Sequence, residues 1–298
     1  MLERSEGDEM TQISDDLSRD RTGSSSGETE AVIRRLYAEV HNTHDLDRAP
    51  EFFAPDFVNH GPVDEVGIEP LQQRIGVMFT AFPDAEATLD HVVVQNDRAM
   101  VFLSWRGHLA GTGDSLMLST ANLYRVRDGL VVEHGSVIDQ SGLTRFGMPA
   151  AEQRQVTDDP DWKCSAAEAA NLRLVLTVWD EIMVQHKLER ADDYYRQDYV
   201  QHNRFAAASG AGLAGMKEFF AGLFTIAPDL KGTITQIVVQ DDLVGLFVVW
   251  TGTEAATGSA VKLDTADLLR VENGRIAEHW DVFDYSAVAR FGVTQPSD

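Results

Sequence analysis

An internal repeat limits the fold of this chain more than any other feature of its sequence. Shifting the chain by 145 positions aligns residues 81–148 with 226–293 without a gap, and 28 of the 68 aligned pairs are identical. Further upstream the shift is 142, where HDLDRAPEFFAPDFVNH (44–60) aligns with HKLERADDYYRQDYVQH (186–202). The small-residue stretch AAASGAG (206–212) absorbs the difference. The period is far longer than that of a solenoid repeat, so the sequence predicts two copies of one domain.

Composition sets the boundaries of the two copies. Residues 1–28 are rich in Ser, Asp, Glu and Gly and carry little to bury, which predicts a disordered acidic tail. Residues 29–148 form domain one, and residues 167–298 form domain two. The polar, proline-containing stretch 149–166 is the predicted linker.

Both copies follow the same order of elements. Apolar residues at helical spacing open each copy, and a short second helix, an extended segment and a third helix follow. Four strand-like segments complete the copy, and Asp128-Gly129 and Asn273-Gly274 are two-residue hairpin signals between the last two. Helices followed by an antiparallel sheet predict an α+β domain.

The charge of the chain excludes two classes of partner. Its 48 acidic and 25 basic residues give a net charge of −23. Because phosphates and anionic lipids are bound by clustered Lys and Arg, we expect no nucleic-acid or membrane partner. The N-terminal segment does not resemble a signal peptide, which favours a cytoplasmic location. The single cysteine, Cys164, excludes an intramolecular disulfide.

Several segments together resemble a known family. FVNH or YVQH after the second helix, FPD or APD after the third, a Trp-containing strand, GRIAEHWDVFD and a terminal RFG are similar to the SnoaL-like polyketide cyclases and predicted ester cyclases of the NTF2-like superfamily. The resemblance implies tandem cone-shaped α+β barrels that pack through their sheets as an intramolecular pseudo-dimer. It also implies cofactor-independent chemistry on a polyketide-like small molecule, as in antibiotic biosynthesis, with a carboxylate in the last strand as acid and base.

The last hairpin of domain two carries the leading catalytic candidates. A two-residue turn at Asn273-Gly274 pairs Ala266 with Asp281 and puts His279 and Asp281 on one face of the strand. Asp281 in an apolar pocket is then a candidate general base, because burial raises the pKa of a carboxyl. The other interpretation is a polar side chain satisfied at the end of a strand.

Further residues complete the predicted site. His202, which ends DYVQH, could donate a hydrogen bond to a substrate carbonyl, or could instead hold its loop. The small Ala266 leaves room for a ligand, and Phe283 shares the face of Asp281. The predicted hairpin places Asp267 on the opposite face, although a one-residue bulge would reverse this. Trp179 and Trp250 are candidates for the pocket floor or for the core.

Domain one lacks the central carboxylate of this motif. EHGSVID (133–139) has Ser136 where EHWDVFD (278–284) has Asp281, and serine has no useful basicity without an activating base. Domain one is therefore predicted to have a degenerate site, although a second site built from His60, His134, Ser136 and Tyr37 stays open.

The leading function is a polyketide-type cyclase that works by acid–base catalysis. The alternatives are an epoxide hydrolase, which needs a pair of carboxylates or amides around one nucleophile, and a non-catalytic small-molecule-binding protein. The sequence has no metal-ligand motif, no phosphate-binding glycine loop and no nucleophile elbow, so we expect no metal or other cofactor. The sequence leaves further homo-oligomer formation open.

Overall fold

The structure is a computed structural model that describes residues 24–61, 63–144, 146, 164–202, 212–285 and 287. Most of the predicted tail and linker lie outside the described residues. The first helix begins at Ser26, so the end of the predicted 1–28 tail is helical. None of the helices in the described ranges has the length and apolar content needed to span a membrane.

Each domain opens with a helix fixed by a capping box. Ser25 and Glu28 cap the first helix of domain one, and Ser165 and Glu168 cap that of domain two. Both helices end in a π-helical turn. The helical elements of domain one are α1 (Ser26–Leu36), its π-turn (Tyr37–His41), a 3₁₀ helix (Leu46–Glu51), α2 (Glu69–Ala81) and α3 (Ser141–Thr144). Those of domain two are α4 (Ala166–Val178), its π-turn (Trp179–Val184), a 3₁₀ helix (Leu188–Arg190), α5 (Ala191–Tyr194) and α6 (Leu213–Ile226).

Each domain contains one sheet, and the five strands that the two sheets share follow the same order; in the described part of the chain, domain one adds the short edge strand β2. In domain one the order is β2-β1-β6-β5-β4-β3, and in domain two it is β7-β11-β10-β9-β8. All neighbours are antiparallel except β1 with β6 and β7 with β11. The strands are β1 (Phe53–Asn59), β2 (Glu65–Val66), β3 (Glu86–Gln95), β4 (Arg98–His108), β5 (Ser115–Arg127), β6 (Leu130–Ile138), β7 (Tyr195–Gln201), β8 (Lys231–Gln240), β9 (Leu243–Thr253), β10 (Ala260–Glu272) and β11 (Arg275–Phe283).

A histidine that both copies keep supports the helical layer. His44 and His186 adopt positive φ angles of 58° and 59°. The Nε2 atom of each lies 2.7 Å from a backbone carbonyl oxygen, and each ring stacks on a phenylalanine, Phe79 or Phe224. This repeated histidine is therefore part of the scaffold.

The sheets of the two domains pack back to back. Apolar side chains on the outer faces of both sheets form one buried cluster: Val93, Met100, Phe102, Ala121, Leu123, Val137, Val238, Phe247, Ala266, Leu268 and Val282. Two reciprocal hydrogen bonds join the sheets at positions that the repeat makes equivalent. The Val94 N–H donates to Oε1 of Gln240 at 2.7 Å, and the Val239 N–H donates to Oε1 of Gln95 at 3.3 Å. The α+β tandem architecture is confirmed.

A bulge changes the predicted register of the last hairpin. Asn273 and Gly274 form the expected turn with positive φ angles, but the pairing shifts between Arg270 and Val271, which leaves Ala277 as an extra residue on β11. Asp281 therefore pairs with Asp267, and Ala266 pairs with Val282. The predicted pairing of Ala266 with Asp281 is wrong. Ala266 is fully buried between the two sheets and does not line the pocket.

Candidate active site

Domain two contains a cavity between α6 and the concave face of its sheet. The cavity measures about 900 Å³ including its open mouth. Its walls are apolar or aromatic over most of their area and come from α6 and the central strands. The described lining residues are Gln201, Met216, Phe219, Phe220, Leu223, Ile226, Ala227, Leu230, Trp250, Val261, Lys262, Leu263, Thr265, Asp267, His279, Asp281, Phe283 and Ala287.

Three ionisable side chains converge on this cavity from neighbouring strands. The bulge on β11 puts Asp267 of β10 on the same face as His279 and Asp281. Asp267 and His279 are each 6% exposed, whereas Asp281 is half-buried. The sequence predicted that His279 and Asp281 share a face, and the bulge adds the second carboxylate.

His279 lies between two hydrogen-bond acceptors. Its Nε2 atom is 3.0 Å from Oδ1 of Asp267, and its Nδ1 atom is 2.9 Å from Oε1 of Gln201. The Gln201 amide donates from Nε2 to Oδ2 of Asp281 at 3.0 Å, which fixes its oxygen toward His279. Carboxylate and amide oxygens only accept hydrogen bonds, so a doubly protonated ring would satisfy both of these contacts.

The electrostatics of the site agree with this geometry. Burial disfavours the charged imidazole, but the hydrogen bond and charge of Asp267, together with the charge of Asp281, more than offset it. They raise the pKa of His279 above its ordinary value. The result is a histidine whose protonated form is favoured, close to two carboxylates in an apolar cavity.

Two chains of hydrogen bonds support the three ionisable groups. On one side Trp250 Nε1 donates to Oγ1 of Thr265 at 3.1 Å, and the Thr265 hydroxyl donates to Oδ2 of Asp267 at 2.7 Å. On the other side the Tyr199 hydroxyl donates to Oε1 of Gln201. Burial, followed by the charges of neighbouring groups, raises the pKa of Tyr199 well above its ordinary value, so this phenol stays protonated.

The spacing of the three groups also satisfies one condition for a metal site. Asp267, His279 and Asp281 each place a ligand atom within 4.8 Å of the others. The sequence shows no metal-ligand motif here, because the bulge on β11 is what brings Asp267 to the other two residues. A metal bound through Nε2 of His279 would have to replace the hydrogen bond to Asp267.

His202 lies on the opposite face of the sheet from the cavity. Its ring stacks on Trp280 with centroids 4.4 Å apart and planes 3° apart, and its Nε2 is 2.8 Å from Oε2 of Glu278. Only its backbone contacts the site, since its N–H donates to the carbonyl oxygen of His279 at 2.9 Å. The expectation that His202 contacts the substrate does not fit this position.

The remaining predicted pocket residues divide between the lining and the wall behind it. Trp250 and Phe283 line the cavity. Trp179 does not; it is buried beside Trp250, with ring centroids 5.5 Å apart, and its Nε1 donates to the carbonyl oxygen of Gly232 at 2.8 Å. Trp179 therefore supports the floor that Trp250 presents.

Domain one builds the corresponding network from neutral groups. His134 Nδ1 lies 2.7 Å from Oδ1 of Asn59, and its Nε2 lies 3.2 Å from Oδ1 of Asn122. Asn59 and Asn122 stand where domain two has Gln201 and Asp267. Burial without a neighbouring carboxylate lowers the pKa of His134 to about 3, so this histidine is neutral.

Of the other predicted residues of a second site, Tyr37 and Ser136 lie next to Asn122, whereas His60 contacts Asp64 and Glu133. Tyr37 exchanges a hydrogen bond of 2.8 Å with the Tyr124 hydroxyl and accepts one of 3.0 Å from Asn122. His60 lies near Asp64 and Glu133, as His202 lies near Glu278 in domain two. Ser136 pairs with Asn122 and provides no charge. His134, Asn122 and Tyr37 form a buried polar cluster.

Sequence reasoning missed Gln201, Tyr199 and Thr265. One signal was available for Gln201: YVQH and FVNH both place an amide next to the histidine, at the edge of the sheet that carries the site. Tyr199 and Thr265 gave no such signal, since their roles depend on which faces of β7 and β10 point into the cavity.

Comparison with known proteins identifies the family. A model of the SnoaL-like polyketide cyclases matches residues 31–145 and 173–290. The chain is similar to IdmH of Streptomyces antibioticus, described as a candidate polyketide cyclase, with 28% identity, a TM-score of 0.36, and coverage of 40% of this chain and 99% of that one. It is also similar to AclR of Streptomyces galilaeus, described as a candidate hydroxylase, with 25% identity, a TM-score of 0.39, and coverage of 42% and 100%. No curated protein matches the chain. Because the family model matches both domains and more than half of the sequence, the chain belongs to the SnoaL-like polyketide cyclase family.

Proposed function

We propose that domain two is a cofactor-independent cyclase that closes a ring in a polyketide-like substrate by acid–base catalysis. The observation that carries the proposal is the position of Asp281. Its carboxylate lines an apolar cavity and is tied through Gln201 to a cationic His279. Domain one has Ser136 in the equivalent position.

The proposed reaction starts with proton removal by Asp281. The proton comes from a carbon between two carbonyl groups, where the resulting enolate is delocalised. The positive charge of His279 stabilises the developing negative charge, and this effect is strengthened by the burial of His279 beside apolar walls. The enolate carbon then forms a bond to the carbon of a second carbonyl group, and Asp281 returns the proton to the new alkoxide.

The apolar walls contribute by holding the substrate folded. Aromatic and aliphatic side chains of α6 face the three polar groups across the cavity, and they include Phe219, Phe220 and Leu223. Alignment of two reacting groups in one molecule reaches effective molarities on the order of 10⁵ M or more. Shape and orientation therefore account for a large part of the proposed rate enhancement.

Substitution of the candidate base tests this function. We expect Asp281→Asn to lower kcat on poly-β-keto or hydroxy-keto substrates by about 10²-fold to 10⁴-fold, the usual contribution of a positioned base, while binding is retained. Ser136→Asp is the matched control in domain one and should leave turnover unchanged, because Asn122 there gives His134 no carboxylate partner.

The outcomes separate the alternatives. Undiminished turnover by Asp281→Asn would overturn the mechanism. Tight binding without turnover by any variant, the wild type included, would favour a small-molecule-binding protein instead.

Opening of an epoxide is the second candidate function, and the pair of Asp267 and Asp281 favours it. In this reaction Asp281 would take a proton from a water molecule as the water oxygen attacks an epoxide carbon. The proton on the epoxide oxygen would come from the Asp267–His279 pair. Incubation with apolar epoxides in ¹⁸O-labelled water tests it, since this route puts the label into a diol product. Absence of diol from all of them would exclude this reaction for the epoxides tested.

A further inference from the structure

Trp280 is the residue of the EHWDVFD motif that the proposed chemistry does not use. It lies between His279 and Asp281 in sequence, so its side chain is on the other face of β11, at the contact between the two sheets. Domain one has Gly135 in the equivalent position. The large ring is therefore present in only one of two otherwise repeated strands.

Domain two surrounds part of this ring. His202 stacks on it, and the Arg270 guanidinium lies 5.5 Å from its centroid. Glu278 holds both neighbours, at 2.8 Å from His202 Nε2 and 3.1 Å from Arg270 Nε. This arrangement gives His202 a role in packing.

Domain one supplies one more ring. His91 of β3 lies 4.4 Å from Trp280 between ring centroids, with planes inclined by 56°. The register of β3 shifts between Leu89 and His91, where a bulge redirects the strand. Burial, the largest effect, lowers the pKa of His91, so its ring is neutral near pH 7 and packs as an aromatic group.

The repeat-related positions of the two domains do not form an equivalent aromatic contact. The position equivalent to His91 is Gln236, and the position equivalent to Trp280 is Gly135. Gln236 accepts a hydrogen bond from Arg98 at 3.3 Å instead. The asymmetry of the interface thus coincides with the asymmetry of the two sites, because the aromatic contact lies behind the strand that keeps its carboxylate.

β11 carries that carboxylate two residues beyond the described end of its ladder with β7. Among the described residues, the ladder between β7 and β11 ends at Gln201 and His279, followed by the hydrogen bond from the His202 N–H. Beyond that point Asp281 pairs with Asp267 on β10, and its carboxylate accepts a hydrogen bond from Gln201 at 3.0 Å. Trp280, between His279 and Asp281, packs on the back of this part of the strand.

We propose that domain one positions the catalytic strand of domain two through the contact of His91 with Trp280. His91 fixes the indole ring from across the interface, and the ring fixes the backbone that carries His279 and Asp281. The effect on turnover rests on the proposed function of Asp281, whereas the effect on the strand does not. His91 and Trp280 are positioning residues and do not contact the substrate.

Truncation of His91 in the full chain tests this role. His91→Ala should lower kcat by about 10-fold to 100-fold with KM changed less than about twofold, as for a small misplacement of catalytic groups. Amide hydrogen exchange of Asp281 and Val282 should become faster by a similar factor. His91→Phe keeps an aromatic ring and should restore both quantities. Gln236→Ala is the matched truncation on the other side of the repeat and should change neither.

Each result decides the proposal. Unchanged kcat and exchange in His91→Ala would overturn it, and so would an equal loss in His91→Phe or in Gln236→Ala. If the wild type converts no substrate, the proposed function fails, but the exchange rates still decide whether His91 holds β11. If Asp281→Asn abolishes turnover while His91→Ala does not affect it, the function stands and the positioning role is wrong.

Discussion

At the scale of single residues, one histidine position has opposite properties in the two domains. His279 and His134 occupy the same place in the fold, and each lies between two side-chain oxygens. Charged Asp267 raises the pKa of His279, whereas burial next to neutral amides lowers the pKa of His134 to about 3. The amide-to-carboxylate difference, Asn122 against Asp267, is therefore the main cause of the opposite pKa shifts of the two rings.

Asp267→Asn should convert His279 into a histidine of the domain-one type. We expect the pKa of His279 to fall below its ordinary value of about 6.5, because burial remains and the main opposing charge is gone. If the imidazolium is needed for turnover, activity falls as pH rises through the pKa of His279, and in Asp267→Asn this fall moves to lower pH. NMR titration of the ring protons measures the pKa directly.

The reverse change in domain one is the control. Asn122→Asp should raise the pKa of His134 without creating activity, because Ser136 still provides no base. An unchanged titration midpoint of His279 in Asp267→Asn would show that Asp267 does not set its charge.

The site residues show what could be predicted from the sequence and what could not. The motif and strand alternation placed His279 and Asp281 together, since both lie on one strand two residues apart. Asp267 was assigned to the wrong face because a bulge adds one residue without a composition signal, and a shift of one residue reverses the face. The position of His202 was not predicted for a related reason. Adjacent side chains of an extended segment face opposite sides of the sheet, so His202 lies away from the site when Gln201 faces it.

At the scale of elements, the two domains fill the space behind their tryptophans differently. The sequence predicts the repeat because helices, strands and turns recur in the same order. It does not predict which side chains pack behind Trp250 and Trp105. Domain two has Trp179 and Gly232 at this place, and a Cβ atom on Gly232 would lie 2.9 Å from Cζ2 of Trp179. Domain one has Tyr37 and Ala87 in the equivalent positions. Gly232 thus leaves the space that the large indole of Trp179 needs, whereas domain one combines a smaller ring with an alanine.

Gly232→Ala should therefore destabilise domain two by about 1–3 kcal/mol, the usual cost of overpacking a core. Combining it with Trp179→Phe should recover part of this loss, because the smaller ring no longer meets the added methyl. A double-mutant cycle in denaturant measures the coupling, which we expect to be at least about 0.5 kcal/mol.

Gly222→Ala in α6 serves as the control, since a Cβ there meets nothing within 4 Å. It should leave stability unchanged or raise it by about 0.5–1 kcal/mol through helix propensity. Additive effects of Gly232→Ala and Trp179→Phe would contradict the proposed contact.

At the scale of the whole molecule, the duplication explains why a domain without the carboxylates is kept. The outer faces of both sheets are apolar, and each would be exposed if the other domain were absent. Domain one covers this apolar face of domain two. This role does not require charged groups in the buried network of domain one. The two domains therefore share one interface but carry buried histidines of opposite electrostatic character.

This difference predicts that acid affects the domains in a fixed order. Burial lowers the pKa values of His134 and His41 to about 3 and about 4, so as pH falls below about 6.5 the unfolded form of domain one binds protons that the folded form does not. Each histidine then removes about 1.4 kcal/mol of stability per pH unit, down to its folded pKa. The raised pKa of His279 acts with the opposite sign: its contribution is fully present below about pH 6.5 and is lost as pH rises through its folded pKa.

Amide exchange between pH 6.5 and pH 4.5, corrected for the intrinsic effect of pH, measures this order. Strands β3–β6 should lose protection at a higher pH than β8–β11. His41→Met introduces the residue that domain two has at Met183 and removes one of the two histidines of domain one with the largest pKa shifts, so it should move the loss in domain one to lower pH. Simultaneous loss in both domains, unaffected by His41→Met, would show that the shared interface, and not the buried histidines, sets the acid stability of the molecule.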